Sequence, residues 1–143
     1  MLDPASLEAY LDRVPRIRSH IRFDKRPWTL NSERRMHRYE RAAAAREWRT
    51  AFAVLARANR TPTFARAVVI VQPHRAKGPK QDADACHPAA KAAIDGLVDA
   101  GVLKSDGPDH VVEIRYLAAV PDSTDALSIF LCEHNHTEGE PNP

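Results

Sequence analysis

Carboxylates and a lysine are concentrated in one stretch of the chain, residues 81–109. Asp82 and Asp84 open the stretch two residues apart, a helical segment carrying Lys91 follows, and Asp106 lies in a turn beyond it. Ionised carboxylates are seldom buried without a partner. The grouping therefore favours a site for a divalent metal ion and a phosphate over a place in the hydrophobic core.

The two leading aspartates have the spacing of a metal-binding pair. In an extended segment, residues i and i+2 point the same way, so we expect Asp82 and Asp84 to present two carboxylates in one direction. Mg²⁺ prefers oxygen ligands and completes its shell with water and substrate phosphate. A metal held by this pair and Asp106 would activate a water for phosphodiester displacement, with Lys91 as the positive charge beside the phosphate.

A purely structural interpretation stays open on spacing alone. Asp82 and Asp84 could cap the helix that begins near Pro88, where acidic residues favour the positive end of the helix dipole. Asp106 could belong to an ordinary turn. Lys91 could simply pair with the residue four positions later on the same helix face.

Basic residues are unevenly distributed along the sequence. Residues 13–60 hold 14 Lys or Arg against four acidic residues, whereas residues 61–143 hold seven against 12. A basic half beside an acidic cluster suits a protein that attracts a phosphate backbone. We predict DNA contacts from the start of the long helix and from the basic loop 73–80, namely Arg34, Arg35, Arg38, Arg41, Arg75, Lys77 and Lys80.

Two further groups of side chains have a chemical interpretation and a plainer one. Trp28 lies near the arginines and could stack on an unpaired base, but it could equally anchor a helix to the sheet. Cys86-His87 and Cys132 with His134 and His136 contain zinc-ligand types, without the usual short zinc spacings. A small buried thiol is the simpler interpretation of Cys132.

Periodicity predicts three helices and four strands. The helices cover residues 4–13, 33–58 and 88–100, and the strands cover residues 17–23, 64–72, 110–120 and 125–132. Ser32 is the expected N-cap of the long helix, and Gly101 ends the last helix. Trp48, Phe52 and Leu55 have helical spacing and should face the core.

These elements predict an α/β (α+β) fold. We expect a mixed sheet of about four strands with helices packed on it, an extra N-terminal helix, and a hairpin formed by the last two strands. No apolar run approaches the roughly 20 residues of a membrane helix, so no membrane contact is expected. Two cysteines do not suggest a disulfide framework, which favours a reducing, cytoplasmic compartment.

The carboxylate stretch resembles a known nuclease family. The aspartate pair, the segment KAAIDGL at 91–97, the turn AGVL at 100–103 and Asp106 are similar to the core pattern of RusA-like Holliday-junction resolvases, in the form found in actinobacterial phages. PWTLNSERRMH at 27–37 resembles the N-terminal part of the family. Two departures concern Ala85, where the family often has Asn, and three extra residues before Lys91. A third is a single acid at 105–106.

The resemblance implies a fold, an activity and partners. RusA-like proteins are homodimeric crossover junction endodeoxyribonucleases that use Mg²⁺, for which Mn²⁺ can substitute, to resolve four-way DNA by paired nicks. Carried over, Asp82, Asp84 and Asp106 would be the metal carboxylates and Lys91 the essential lysine. The implied role is in phage DNA recombination, replication or repair in the host cytoplasm. The alternative is a non-catalytic protein that binds branched DNA with a degenerate site.

The resemblance also implies a division of the chain. Residues 17–133 would form the RusA-like nuclease domain. Residues 1–16 would be an N-terminal helical extension, and residues 134–143 a polar C-terminal tail.

Overall fold

The computed structural model describes residues 3–12, 16–78 and 81–134. Lys80 and His136, both named from the sequence, lie outside these ranges, as does most of the predicted tail. The helices are α1 (Pro4–Asp12), α2 (Leu30–Glu33), α3 (Arg38–Ala58) and α4 (His87–Asp99). The strands are β1 (Ile17–Phe23), β2 (Ala67–Arg75), β3 (Val111–Tyr116), β4 (Val120–Pro121) and β5 (Ala126–Glu133).

The strands form one mixed sheet with the order β1-β5-β2-β3, and the two-residue β4 pairs with the end of β2. β5 is antiparallel to both of its neighbours, whereas β2 is parallel to β3 and β4. The predicted class, a mixed sheet with helices packed on it, is confirmed. No helix among the described residues is long and apolar enough to cross a membrane.

The predicted terminal hairpin is wrong. β5 does not pair with β3 but lies between β1 and β2. Leu127, Ile129 and Leu131 on one face of β5, and Ala126 and Cys132 on the other, are all fully buried. An apolar run that is buried on both faces is typical of an interior strand with a neighbour on either side, rather than of a hairpin at the edge of a sheet.

The core lies between this sheet and the pair α3 and α4. Trp48 and Phe52 of α3 are buried, as the helical spacing predicted, and pack with Ile21 of β1. The two helices approach so closely that a Cβ atom on Gly96 would lie 2.2 Å from the carbonyl oxygen of Arg49. Gly96 is therefore the position that sets the spacing of the two helices.

The long predicted helix is broken near its start. Thr29 caps α2: its hydroxyl accepts from the Ser32 amide at 3.2 Å, and the Thr29 amide donates to the Ser32 hydroxyl at 2.8 Å. Ser32 is thus inside a capping box rather than the N-cap of the long helix, which corrects the prediction. The cap of α3 is His37, whose ring nitrogen accepts from the Tyr39 amide.

Strand β2 continues through Pro73 into the segment predicted as a loop. Pro73 has no N–H to donate, which usually excludes proline from a central strand. Here the neighbouring ladder has a gap: β3 pairs with β2 up to Val71, and β4 begins its pairing at His74. On the side of β2 that faces β3 and β4, the carbonyls of Val71 and Arg75 accept from the amides of Leu117 and Asp122. Pro73 lies between these two residues and faces the same side, where the gap leaves no strand that needs its missing N–H.

Helix α1 agrees with the predicted N-terminal helix but buries none of its residues. Leu7 and Leu11 are 43% and 51% exposed. The Tyr10 hydroxyl donates to a Glu113 carboxylate oxygen at 2.8 Å, which places α1 beside β3. The apolar side chains of this helix therefore do not contribute to the core formed by the described residues.

Candidate functional site

Helix α4 positions the lysine singled out from the sequence. Most of α4 is buried, including Ala90, Ile94 and Leu97, and beside this buried surface Lys91 is exposed and Asp95 is half-exposed. The Lys91 Nζ donates to Asp95 at 2.9 Å, as the i,i+4 spacing predicted. It also donates to a carboxylate oxygen of Asp106.

Asp106 reaches Lys91 because the chain turns back after α4. Gly101 adopts a positive φ of 78° just beyond the helix, and the buried Leu103 holds the following segment against the core. The Ser105 hydroxyl then accepts from the Gly107 amide at 3.2 Å and shapes the turn. The sequence predicted that Asp106 would join Asp82 and Asp84 at a metal, but in the structure its carboxylate contacts Lys91 instead.

The Lys91–Asp106 pair fixes the charge of both groups. Hydrogen bonding to Asp106 raises the pKa of Lys91, and hydrogen bonding from Lys91 lowers the pKa of Asp106. The two side chains are 51% and 44% exposed, so water screens the pair and it adds little to stability. Its importance is electrostatic, because it keeps an ammonium group in place at the surface.

Asp82 and Asp84 do not lie in an extended segment, and that prediction is wrong. The Ala85 amide donates to the carbonyl of Asp82 at 3.0 Å, and the His87 amide donates to the carbonyl of Asp84 at 3.0 Å. Successive turns therefore lead into α4, and the i, i+2 rule for strands does not apply. Both aspartates are exposed.

Asp82 and Asp84 have different surroundings. Asp82 lines a surface groove together with Arg26 and Arg35. Asp84 lies near Tyr116, whose pKa is raised first by burial and further by Cys86 and Asp84. No group of three or more His, Cys, Asp or Glu side chains within residues 3–12, 16–78 and 81–134 has an arrangement that could hold a metal ion. The three predicted metal carboxylates are thus not gathered in one cluster.

His87, named above with Cys86 as a zinc-ligand type, is exposed and has a defined partner. His87 Nδ1 and the Tyr116 hydroxyl are 2.7 Å apart, with tilted rings. His87 and Lys91 are four residues apart on α4 and line the same groove. The i,i+4 spacing of His87 and Lys91 was readable from the sequence, whereas a partner 29 residues away was not.

That groove, here called the α3–α4 groove, has a volume of about 520 Å³ and runs between the two helices. The wall formed by α3 carries Arg41, Arg46 and Arg49, and the wall formed by α4 carries His87, Lys91 and Asp95. Arg49 is anchored by hydrogen bonds from Nε and a terminal nitrogen to Asp99, at 2.5 Å and 2.7 Å. The groove thus joins the lysine site to the predicted basic helix.

The predicted DNA-contacting residues form two groups. Four lie around the junction of α2 and α3 and are exposed: Arg34, Arg35, Arg38 and Arg41. Arg75 and Lys77 lie at and after the end of β2, and they line a separate pocket of about 260 Å³. The two groups are on different elements. That both contact the same DNA molecule stays a prediction.

The remaining candidates have structural roles. The Trp28 Nε1 donates to Glu33 at 2.9 Å, and its ring packs edge-on against Trp48, so it anchors α2. Cys86 and Cys132 are buried free thiols. Burial raises the pKa of Cys86 to about 11, which leaves it protonated and a poor nucleophile at neutral pH.

No protein-family model matches the sequence, and no curated protein does either. The similarity to RusA-like resolvases therefore rests on the motifs between residues 82 and 106 and on the segment 27–37.

Proposed function

We propose that the protein is a Mg²⁺-dependent endonuclease that acts on branched DNA, with the four-way junction as its substrate. The observation that carries the proposal is the position of Lys91. Its ammonium group is held between Asp95 and Asp106 on one wall of a groove whose other wall bears three arginines. A fixed cation beside a basic surface is a binding arrangement for a phosphodiester.

The predicted metal ligands have suitable chemistry. Asp82, Asp84 and Asp106 are exposed and offer the hard oxygen donors that Mg²⁺ prefers. Mg²⁺ commonly takes only one or two protein carboxylates and fills its remaining positions with water and substrate phosphate. When bound, the ion would supply an activated water and neutralise charge that develops on the phosphate. The resemblance assigns it to these three residues.

The chain's own side chains have separable tasks on this proposal. Lys91 binds a phosphate oxygen next to the bond that is cut, and the Asp95 and Asp106 carboxylates hold it in position. Arg41 and Arg46 bind flanking phosphates. Because His87 Nδ1 is engaged with Tyr116, its Nε2 is the ring nitrogen left to contact a phosphate oxygen or water.

The decisive experiment removes the lysine charge and compares cutting with binding. Lys91→Met should lower the rate of nicking of a labelled four-way junction in Mg²⁺ at least 100-fold. Its junction affinity, measured in EDTA, should change less than about threefold, since one phosphate contact among many is lost. The matched control is Lys104→Met, another exposed lysine of this region, which should cut normally. A Lys91→Met protein that cuts as fast as the parent would contradict the proposal.

A second candidate is a non-catalytic protein that binds branched DNA. The observation in its favour is that the described residues hold no cluster of three metal-binding side chains, while Lys91 already pairs with two carboxylates. This candidate predicts tight junction binding with no nicks in either Mg²⁺ or Mn²⁺. The parent protein assayed with both ions distinguishes the two functions directly.

Paired nicking requires two sites on opposing strands, which a symmetric homodimer provides. On this proposal the protein is a dimer in solution and acts in the host cytoplasm on phage DNA. Sedimentation equilibrium at micromolar concentration should give twice the 16.0 kDa chain mass. A monomer that nonetheless cuts both strands would contradict the dimer.

A further inference from the structure

The α3–α4 groove has the shape of a binding site as well as the charge of one. The helices are in closest contact where Gly96 meets the backbone of Arg49, and the groove occupies the space beyond that contact, toward the start of α4. Its volume falls in the range of pockets that hold small organic ligands. A base-paired duplex is too wide to enter it, whereas a single nucleotide is of the right size.

Small apolar side chains of α3 and α4, here called the floor, line part of the groove, and Trp28 and Leu30 line it as well. Ala42 and Ala45 line it from α3, and Pro88 and Ala92 line it from α4. Ala42 is exposed, so the core does not require it to be small, whereas Ala45 is half-buried and packs against the core. A floor of this kind can pack against the face of a base or a sugar, because that face carries few groups that need a hydrogen-bond partner.

The positive charge available to a ligand at the rim of the groove comes from Arg41 and Arg46, which are exposed. The other two lining cations already have partners, since Arg49 pairs with Asp99 and Lys91 pairs with Asp95 and Asp106. The groove is open toward the start of α4. This end is also the N-terminus of the 13-residue α4, where Cys86 makes no side-chain cap. The helix dipole therefore adds to the attraction of an anion in the groove.

We propose that the α3–α4 groove binds one unpaired nucleotide of a DNA strand beside the branch point. Its base and sugar would lie on the alanine floor, and its phosphate would lie among the basic side chains of the rim. This inference rests on the proposed function for the identity of the ligand as DNA. It narrows the substrate class to branched DNA with an unpaired nucleotide next to the branch, in preference to fully paired duplex.

The test fills the floor and uses a neighbour as control. Ala42→Leu adds bulk inside the groove, and Ala43→Leu makes the same change at an exposed position of α3 that does not line it. Both keep a strong helix former on the surface, and circular dichroism should show equal helix content. The probes are fluorescently labelled oligothymidylate of 12 nucleotides and a 12-base-pair duplex, titrated in EDTA at low salt.

We expect Ala42→Leu to weaken oligothymidylate binding at least fivefold and duplex binding less than twofold, with Ala43→Leu like the parent for both. Oligothymidylate binding unchanged by Ala42→Leu, or weakened equally by Ala43→Leu, would overturn the groove assignment. Equal weakening for both probes would overturn the choice of an unpaired nucleotide. Because EDTA prevents cutting, these binding results do not depend on nicking. A parent protein that never nicks junctions would contradict the proposed nuclease function but not the groove assignment.

Discussion

The two faces of the sheet use neighbouring residues of the same strands for different purposes. On the face covered by α3 and α4, Ile21, Leu127 and Ile129 pack in an apolar core. On the second face, the alternate residues include His20 of β1 and Ser128 of β5, which are joined by hydrogen bonding. A strand therefore places an aliphatic cluster and a titratable network one residue apart, and substitutions in adjacent positions should have different signatures.

The network on the second face is centred on a buried hydroxyl. Ser128 is fully buried, and its Oγ lies 2.7 Å from Nε2 of both His20 and His74. Since a hydroxyl has one proton, it donates to one imidazole and accepts from the other. Burial of Ser128 also removes it from any substrate, so the network joins β1, β5 and β2 rather than performing chemistry.

A carboxylate and a guanidinium extend this network. Asp122 Oδ2 lies 3.0 Å from Nδ1 of His74, off the line of an ideal N–H bond, so the contact is mainly electrostatic. Arg22 donates to the same Asp122 oxygen at 2.9 Å. The carboxylate favours a proton on His74 Nδ1. His74 Nε2 then accepts the hydrogen bond from the Ser128 hydroxyl. The Ser128 oxygen in turn accepts a hydrogen bond from His20 Nε2.

The largest effect is expected on the helix-covered face. Ile129→Ala removes a fully buried side chain between the sheet and the helices, and it should lower the free energy of unfolding by about 4 kcal/mol. Urea denaturation at pH 7.5, monitored by circular dichroism, measures the change. A loss below about 1 kcal/mol would mean that this face is not the main source of stability.

A smaller effect is expected one residue away on the second face. Ser128→Ala leaves two imidazole nitrogens without their shared partner, which should cost about 1 to 2 kcal/mol. The same denaturation assay applies. If Ser128→Ala cost as much as Ile129→Ala, the network would be as important as the core, and the contrast between the faces would fail.

The smallest effect is a dependence on pH that only the second face should show. Partial desolvation of the ring lowers the pKa of His20, and the nearby His74 and Arg22 lower it further. The folded state therefore favours neutral His20, and stability is complete above the unfolded pKa of about 6.5 and is lost as the pH falls below it. We expect the free energy of unfolding to decrease between pH 7.5 and 5.5.

The pH dependence has matched controls in the chain. His20→Gln keeps a hydrogen-bonding side chain without a titrating ring, so it should reduce the slope of stability against pH. His110→Gln, at a half-exposed histidine that contacts the Ala65 carbonyl, should leave the slope unchanged. Asp122 has a pKa lowered to about 2, so its contribution to stability is lost only in solutions more acidic than this pH range. A slope that survives His20→Gln in full would exclude His20 as its source.

Local patterns predicted local structure well. The strand predicted over residues 17–23 is confirmed, with Ile21 buried in the core and His20 and Arg22 on the other face. Helical spacing placed Trp48 and Phe52 in the core. These predictions succeed because the periods of a strand and a helix are fixed by the backbone itself.

Local patterns did not predict which distant segments of the chain lie side by side. The insertion of β5 between β1 and β2 depends on which faces need cover, which no local pattern states. In the candidate site, the i,i+4 spacing predicted the Lys91–Asp95 contact, but the approach of Asp106 depends on a turn after the helix. The predicted orientation of Asp82 and Asp84 was wrong because the backbone there forms hydrogen-bonded turns and is not extended.

The gap opposite Pro73 has a consequence for solubility. The outer edge formed by β3 and β4 is interrupted between Tyr116 and Val120, and β4 itself is only two residues long and ends at Pro121. An incoming strand from another molecule would find no continuous row of amides and carbonyls to copy beyond β3. The sheet margin opposite Pro73 is therefore a poor template for edge-to-edge pairing with another molecule.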